Sequence, residues 1–100
     1  MNTNELTMIF KALSDDQRFR IIEMLAKEEM CACKLLEHFN FSQPTLSHHM
    51  KLLLSCNLVN CRKDGKWSYY SINIETYNKF TESISNLIPV TSFKKDNKKC

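Results

Sequence analysis

The sequence predicts a mainly α fold with a β-hairpin wing, that is, a winged helix-turn-helix. Three observations lead to this prediction. Apolar residues recur at helical spacing through most of the chain. Two short β-rich segments flank the one glycine of the 100 residues. Before these segments, a short predicted helix is followed, after a turn of a few residues, by a longer helix with a polar leading face. This order is typical of a helix-turn-helix.

Length and composition limit the class of protein. A chain of 100 residues with 43% hydrophobic content is typical of one compact domain. Such a chain buries only about 60 to 65% of its unfolded surface, so a dimer that buries more is expected. No apolar run approaches the roughly 20 residues that cross a bilayer, and the N-terminus lacks a basic-then-apolar signal sequence. We therefore expect a cytoplasmic protein with no membrane partner.

The first two helices follow from apolar spacing. The first is predicted from Asn2 to Leu13, where apolar residues repeat at i, i+3, i+4 and i+7. Ser14 and Gln17 match a capping box, which predicts that Ser14 caps the second helix. That helix is apolar nearly all round and is therefore expected to be central.

The next two helices form the predicted helix-turn-helix. A short third helix is expected to stop near Asn40, and Ser42 is placed to cap the fourth. Pro44 falls in the first turn of the fourth helix, where its missing N–H costs nothing. The polar face of this helix carries side chains that can bond to bases or phosphates. These candidate DNA-contacting residues are Ser42, Gln43, Thr45, Ser47, His48, His49 and Lys51.

The β-rich segments predict a basic hairpin. Residues 58–63 and 66–72 are joined by Asp64-Gly65, a strong signal for a two-residue turn. Arg62, Lys63 and Lys66 flank this turn, so the wing is expected to lie along a phosphate backbone.

Asn73 is predicted to cap the last helix, which should end at Pro89. The predicted organisation is thus a DNA-binding domain over residues 1–90 and a flexible Lys-rich tail over residues 91–100.

Cys31 and Cys33 stand directly before the predicted DNA-reading motif. In the cytoplasm the five cysteines are not a disulfide framework, because thiols stay reduced there and the count is odd. Thiolates bind soft ions such as trivalent arsenic, cadmium or copper(I). Two residues apart on a regular helix, the side chains diverge by about 200°. They can share one ion only if the helix start is non-helical or unwinds, and binding would then distort the third helix.

Three stretches resemble the ArsR/SmtB family of metal-sensing repressors: residues 29–39 (EMCACKLLEHF), 41–51 (FSQPTLSHHMK) and 62–66 (RKDGK). The resemblance implies a homodimer with the first and last helices at the interface. It also implies that the homodimer binds a double-stranded, inverted-repeat DNA operator. Arsenite or antimonite would then be the inducer that releases the protein from this operator.

The number of sulfur ligands is open. The three-cysteine version of the family pattern has a further Cys where this sequence has Leu36. Cys100 is a candidate third ligand, and a small cellular thiol or water is the other option. Cys56 and Cys61 rank lower, because one lies near the end of the fourth helix and the other in the wing.

The predicted function is a repressor released when trivalent arsenic or antimony binds Cys thiolates. The alternatives are a regulator that senses thiol oxidation and a sensor of another soft ion such as cadmium. Zinc sensing through the last helix is disfavoured, because residues 73–100 contain no His. Relatives that sense cadmium or lead use an N-terminal Cys, and none precedes Cys31. No motif pairs a Cys with a base, so neither an enzyme nor a catalytic cofactor is expected.

Overall fold

The computed structural model of the protein describes residues 1–88. Pro89, the predicted tail over residues 91–100 and the candidate ligand Cys100 lie outside the described residues. The described part is mainly α-helical with a three-stranded antiparallel sheet. In chain order its elements are α1 (Thr3–Leu13), α2 (Asp16–Leu25), β1 (Met30–Cys31), α3 (Ala32–Leu36), α4 (Gln43–Ser55), β2 (Val59–Asp64), β3 (Trp67–Ile72) and α5 (Ile74–Leu87).

The cap of α2 differs from the prediction. Asp15, not Ser14, caps this helix, and its Oδ2 accepts from the backbone N–H groups of Gln17 at 3.0 Å and Arg18 at 3.1 Å. The Ser14 hydroxyl instead donates to the carbonyl of Lys11 at 2.7 Å, at the end of α1. A carboxylate is the better partner for these N–H groups, because it also meets the positive end of the helix dipole.

The helix-turn-helix forms as predicted, with a shorter first member. α3 ends at Leu36, before the expected stop near Asn40. Ser42 caps α4, as predicted, by accepting from the N–H of Thr45.

The C-terminus of α4 leads directly into β2. Asn57 has φ 63°, and the N–H of Leu58 donates to the carbonyl of Leu53 at 3.2 Å. The N–H of Asn57 donates to the carbonyl of Leu54 at 3.0 Å, which completes a Schellman motif. This ending fixes the direction in which β2 leaves α4.

The wing is an antiparallel hairpin of β2 and β3. Its pairs run from Val59 opposite Ile72 to Asp64 opposite Trp67, so Gly65 and Lys66 make the turn. The turn lies one residue later than the predicted Asp64-Gly65. Gly65 has φ 61°, which suits the first central position of a type II′ turn.

A third strand joins the other edge of β3. The sheet order is β1-β3-β2, with Met30 opposite Tyr70 and Cys31 opposite Tyr69. The sequence did not predict β1, which is only two residues long. It brings the start of α3 into the same sheet as the wing.

Helices α1, α2, α3 and α4 all contribute side chains to one hydrophobic core. Its largest fully buried side chains are Ile9, Ile21, Leu35, Leu46, Met50 and Leu53. Trp67, on the wing, is 54% exposed. Large apolar side chains of α1 and α5 are exposed, among them Met8, Phe10, Tyr77, Ile84 and Leu87. Among residues 1–88, no helix is long and apolar enough to span a membrane.

Candidate thiol site and DNA-contacting surface

The two thiols converge because they belong to different elements. Cys31 ends β1 and is the N-cap residue of α3, with extended backbone angles of φ −75° and ψ 158°. Cys33 lies in the first turn of α3. The helical divergence of about 200° does not apply to this pair, because only one of them is helical. The Sγ atoms are 2.9 Å apart, so the non-helical start required for a shared ion is present without unwinding.

The thiol pair divides its protons unequally. The hydrogen bond from Cys33 lowers the pKa of Cys31, and the backbone N–H of Lys34 acts in the same direction. The same sulfur-to-sulfur hydrogen bond raises the pKa of Cys33. Cys31 is therefore the first thiolate to form, and thiolates are the species that bind metal ions and react with electrophiles.

The described residues bring two sulfurs together and no more. Within residues 1–88 no group of three or more His, Cys, Asp or Glu side chains is arranged to hold a metal ion. Cys56 is buried, and burial raises the pKa of its thiol. Cys61 lies on β2 opposite Tyr70 and is exposed.

A row of paired residues connects the thiols to the wing. Tyr69 on β3 lies opposite Cys31 on one side and Arg62 on the other. The guanidinium carbon of Arg62 lies 4.5 Å from the centre of the Tyr69 ring. Nη2 of Arg62 also donates to Oε1 of Glu29 at 2.8 Å. Arg62 of the wing therefore contacts Tyr69, which pairs with Cys31, and Glu29, which lies two residues before Cys31. These two contacts connect the wing to the thiol site.

Most of the predicted DNA-contacting side chains lie on open surface. On α4 and at its cap, Ser42, Gln43, Ser47, His48 and Lys51 are exposed, and Thr45 is half-buried. On the wing, Arg62, Lys63 and Lys66 are exposed.

His49 is the exception among these candidates, and its assignment as a DNA contact is wrong. It is 7% exposed and packs against α2, so its ring is not available to DNA. Nδ1 lies 3.2 Å from Nη1 of Arg18, and Nε2 lies 3.0 Å from Oε1 of Gln17. Because guanidinium only donates, Nδ1 accepts and Nε2–H donates to Gln17. Burial lowers the pKa of His49, which favours the neutral imidazole.

The spacing of α4 contained the signal for this inward position. His49 falls three residues after Leu46 and four before Leu53, both of which are buried. Residues at these separations share one helix face. Gln17 and Arg18 hold the ring by hydrogen bonds and were not among the predicted site residues.

Comparison with known proteins agrees with the fold and the motifs. Residues 15–60 match the family described as "Bacterial regulatory protein, arsR family". The chain is 55% identical over 73 residues to the arsenical resistance operon repressor of Staphylococcus aureus, covering 73% of this chain and 70% of that protein. It is 53% identical over 75 residues to the repressor of the same name from Staphylococcus xylosus, covering 75% of this chain and 72% of that one.

The fold also matches a solved structure. The crystal structure of an ArsR family transcriptional regulator superimposes with a TM-score of 0.84 at 18% identity, over 95% of this chain and 98% of that one. The matching family is one of regulators, not enzymes. The extent of identity with the two staphylococcal proteins establishes membership, and the chain belongs to the arsR family of bacterial regulatory proteins.

Proposed function

We propose that this protein is a transcriptional repressor that binds a double-stranded DNA operator as a homodimer. Trivalent arsenic or antimony, as arsenite or antimonite, releases it by binding Cys31 and Cys33. The observation that carries this proposal is the 2.9 Å separation of the two Sγ atoms at the start of α3. Paired thiolates are the ligands that soft trivalent ions select over harder donors.

The exposed polar face of α4 and the basic wing support the DNA-binding part of the proposal. A helix presented with Gln43 and Ser47 outward suits the major groove, where amide and hydroxyl groups read base edges. Arg62, Lys63 and Lys66 suit phosphates beside it.

Exposed apolar residues support dimerisation through α1 and α5. Phe10 is 49% exposed, Tyr77 is 50% exposed and Leu87 is 68% exposed. Phe10 of α1 contacts Phe80 of α5, with ring centroids 5.3 Å apart. A group of exposed apolar side chains is typical of a protein interface. In a homodimer that buries them, the two copies of α4, the proposed recognition helix, would read the two halves of an inverted repeat.

The sheet provides a path from the thiols to the DNA-contacting surface. Cys31 and Cys33 become tied to a common atom when the inducer binds, so β1 and the first turn of α3 move together. β1 pairs with β3, and Glu29 accepts a hydrogen bond from Arg62. A displacement of β1 would therefore be transmitted to the wing. By linkage, DNA must weaken inducer binding by the same factor as the inducer weakens DNA binding.

The thiol variants test this proposal. Cys31→Ser and Cys33→Ser should retain operator affinity and lose release by arsenite, and Cys61→Ser is the matched control because it is also exposed. The operator is a DNA fragment that the purified protein enriches from a random pool. The anisotropy of this fragment, once labelled, measures how much of it is bound. Release of either Ser variant by arsenite, or loss of operator binding with a normal fold, would contradict the assignment.

Two added titrations separate the alternatives. Cadmium that releases the wild-type protein at lower concentration than arsenite would identify a different soft-ion sensor. Peroxide that releases the protein in the absence of metal, reversibly with a dithiol reductant, would identify a redox sensor, because Cys31 and Cys33 are close enough to form a disulfide after a small movement.

A further inference from the structure

The guanidinium of Arg18, on α2, connects the end of α1 to the middle of α4. Its Nε donates to the carbonyl of Ala12 at 2.7 Å, and its Nη2 donates to the carbonyl of Lys11 at 3.5 Å. Both carbonyls belong to the last turn of α1, where carbonyl groups lack the N–H partners of a continuing helix. Nη1 of the same group donates to Nδ1 of His49 at 3.2 Å. One side chain of α2 therefore forms hydrogen bonds with two other helices.

These hydrogen bonds are directional. A guanidinium holds its N–H groups in one plane and in a rigid fork, so its partners lie at set angles to one another. The imidazole of His49 does not turn freely, because its Nε2–H donates to Oε1 of Gln17 at 3.0 Å. His49 is 7% exposed, so water competes little for its two bonds. The bonds thus add a restraint on orientation to the apolar packing between α1 and α4.

Opposite sides of α4 carry this restraint and a proposed base contact. Ser47 lies two residues before His49, which is about 200° around the helix. Ser47 is exposed, whereas the ring of His49 contacts α2. A rotation of α4 about its own axis would therefore disturb the bond between Arg18 and His49 and turn the base-contacting face at the same time.

The orientation of α4 relative to α1 matters in the proposed homodimer. α1 contributes to the proposed interface, where Phe10 is 49% exposed. The angle between α1 and α4 in each protomer then sets the separation and relative rotation of the two copies of α4. Both copies can bind at once only where the two halves of the operator have the matching spacing.

We propose that Arg18 and His49 are positioning residues for operator recognition, and that their hydrogen bond holds α4 at the angle to α1 that matches one half-site spacing. This inference rests on the proposed homodimeric repressor and adds to it what sets the spacing of the DNA site. The role requires no contact with DNA, because His49 is buried and Arg18 donates to carbonyls of α1.

The experiment measures binding to operators of different spacing. The operator enriched from a random pool is compared with fragments that have one base pair inserted or removed between the halves, and with a single half-site. One base pair turns one half-site by about 34° relative to the other. Wild-type protein should bind the enriched spacing more tightly than the altered ones by about ten-fold or more. Anisotropy at one salt concentration gives all the affinities.

Two variants remove the hydrogen bond from opposite sides. His49→Leu replaces the ring with an apolar side chain of similar volume, and Arg18→Met keeps the aliphatic stem. Each should bind the enriched spacing about ten-fold more weakly, the factor expected for one hydrogen bond with a charged donor. Each should bind the altered spacings within about three-fold of the enriched one and keep wild-type affinity for the half-site within about two-fold. Circular dichroism identifies the folded variants.

Arg20→Met is the matched control for charge, because Arg20 is an exposed residue of α2 that donates to a carbonyl beyond α3. It should keep the spacing preference. Arg18→Lys retains the charge but cannot hold three partners in the geometry of a guanidinium. Its spacing preference should lie between those of wild type and Arg18→Met, and this variant carries the test if the other two do not fold.

His49→Asn separates positioning from stability. The amide oxygen of Asn can accept where Nδ1 accepts, so this variant should recover most of the spacing preference that His49→Leu loses. Leu buries more apolar surface than Asn, so His49→Leu should unfold at a higher urea concentration than His49→Asn. Stability and spacing preference should therefore change in opposite directions between these two variants.

The outcomes distinguish this inference from the proposed function. A wild-type spacing preference in the folded Arg18 and His49 variants overturns the inference alone. Equal weakening on the half-site and on the whole operator also overturns it, as does loss of the preference in Arg20→Met. If the wild-type protein enriches no DNA fragment, or binds the half-site as tightly as the whole operator, the proposed homodimeric repressor itself is wrong.

Discussion

Oε1 of Glu29 accepts a hydrogen bond from Nη2 of Arg62 at 2.8 Å, across 33 positions of the chain. Glu29 stands two residues before Cys31, and Arg62 is a proposed phosphate contact. The same guanidinium lies over Tyr69, whose pairing partner on β1 is Cys31. Under the proposed docking, the carboxylate of Glu29 and a DNA phosphate compete for the guanidinium of Arg62.

Removing that competition should tighten DNA binding. Glu29→Gln is expected to raise operator affinity by up to about five-fold, because an exposed ion pair of this kind is worth about 0 to 1 kcal/mol. Glu28→Gln is the matched control, since Glu28 pairs with Lys34 at 2.9 Å and not with the wing. Anisotropy titrations at two salt concentrations measure the effect. An equal gain in both variants would show that net charge alone is responsible.

Substitutions in the wing and in α4 should affect DNA binding in different ways. Arg62→Ala or Lys66→Ala should weaken binding about equally for all DNA sequences and reduce the salt slope by roughly one unit per lost phosphate contact. Gln43→Ala or Ser47→Ala should relax preference at particular base pairs, by about 1 to 3 kcal/mol each. Binding to a panel of single-base operator variants separates the two effects. Altered base preference in the wing variants alone would refute the proposed docking.

His49 should make stability depend on pH. Burial lowers the pKa of His49 below its ordinary value of 6.5, so in mildly acid solution the unfolded chain binds more protons than the folded one. Its stabilising contribution is then complete above pH 6.5 and is lost as pH falls through the folded pKa. Arg18 opposes protonation, as does His48, whereas Asp15 favours it.

Urea unfolding between pH 5 and pH 8 measures this dependence. His49→Gln should flatten the decline in unfolding free energy below pH 6.5. The control, His48→Gln, removes an exposed neighbouring imidazole and keeps the contacts with Gln17 and Arg18. A decline that persists unchanged in His49→Gln would assign it to other groups.

Cys100 is the candidate third sulfur for inorganic arsenite. Removing residues 96–100 should weaken arsenite-induced release by about ten-fold, because a thiol on the same chain acts at high effective concentration. Arsenic-edge X-ray absorption should then count two sulfurs instead of three. Cys100→Ser in the full chain separates loss of the thiol from loss of the segment. An unchanged arsenite response in both variants would leave Cys31 and Cys33 as the protein ligands.

The helices and the wing were predictable because their signals are local. Apolar spacing identified α1, α2 and α4, and Ser42 and Asn73 proved to be caps as predicted. The glycine located the hairpin to within one residue. Local competition between caps was harder to judge, since Ser14 and Asp15 are adjacent and both can accept from the start of α2.

The geometry of the thiols was not predictable, because it depends on a non-local contact. β1 contains two residues, too few to show alternation, and it exists because its partner residues on β3 lie beside it, 38 and 40 positions later in the chain. The sequence indicated that the two thiols converge only if the start of the third helix is non-helical or unwinds, but it did not indicate whether this condition is met. His49 was misplaced for a related reason: polarity suggested surface, whereas Gln17 and Arg18 supply the polar partners that let it lie inside.

Main-chain pairing with Tyr69 and Tyr70, rather than any feature of the sulfur atoms, positions β1. The side chains of Cys31 and Cys33 are thus not required for the register of β1 against β3. Under the proposed function, exchanging the side chains at positions 31 and 33 would change which ligand is bound while the pairing of β1 with β3, and with it the connection to the wing, stays in place.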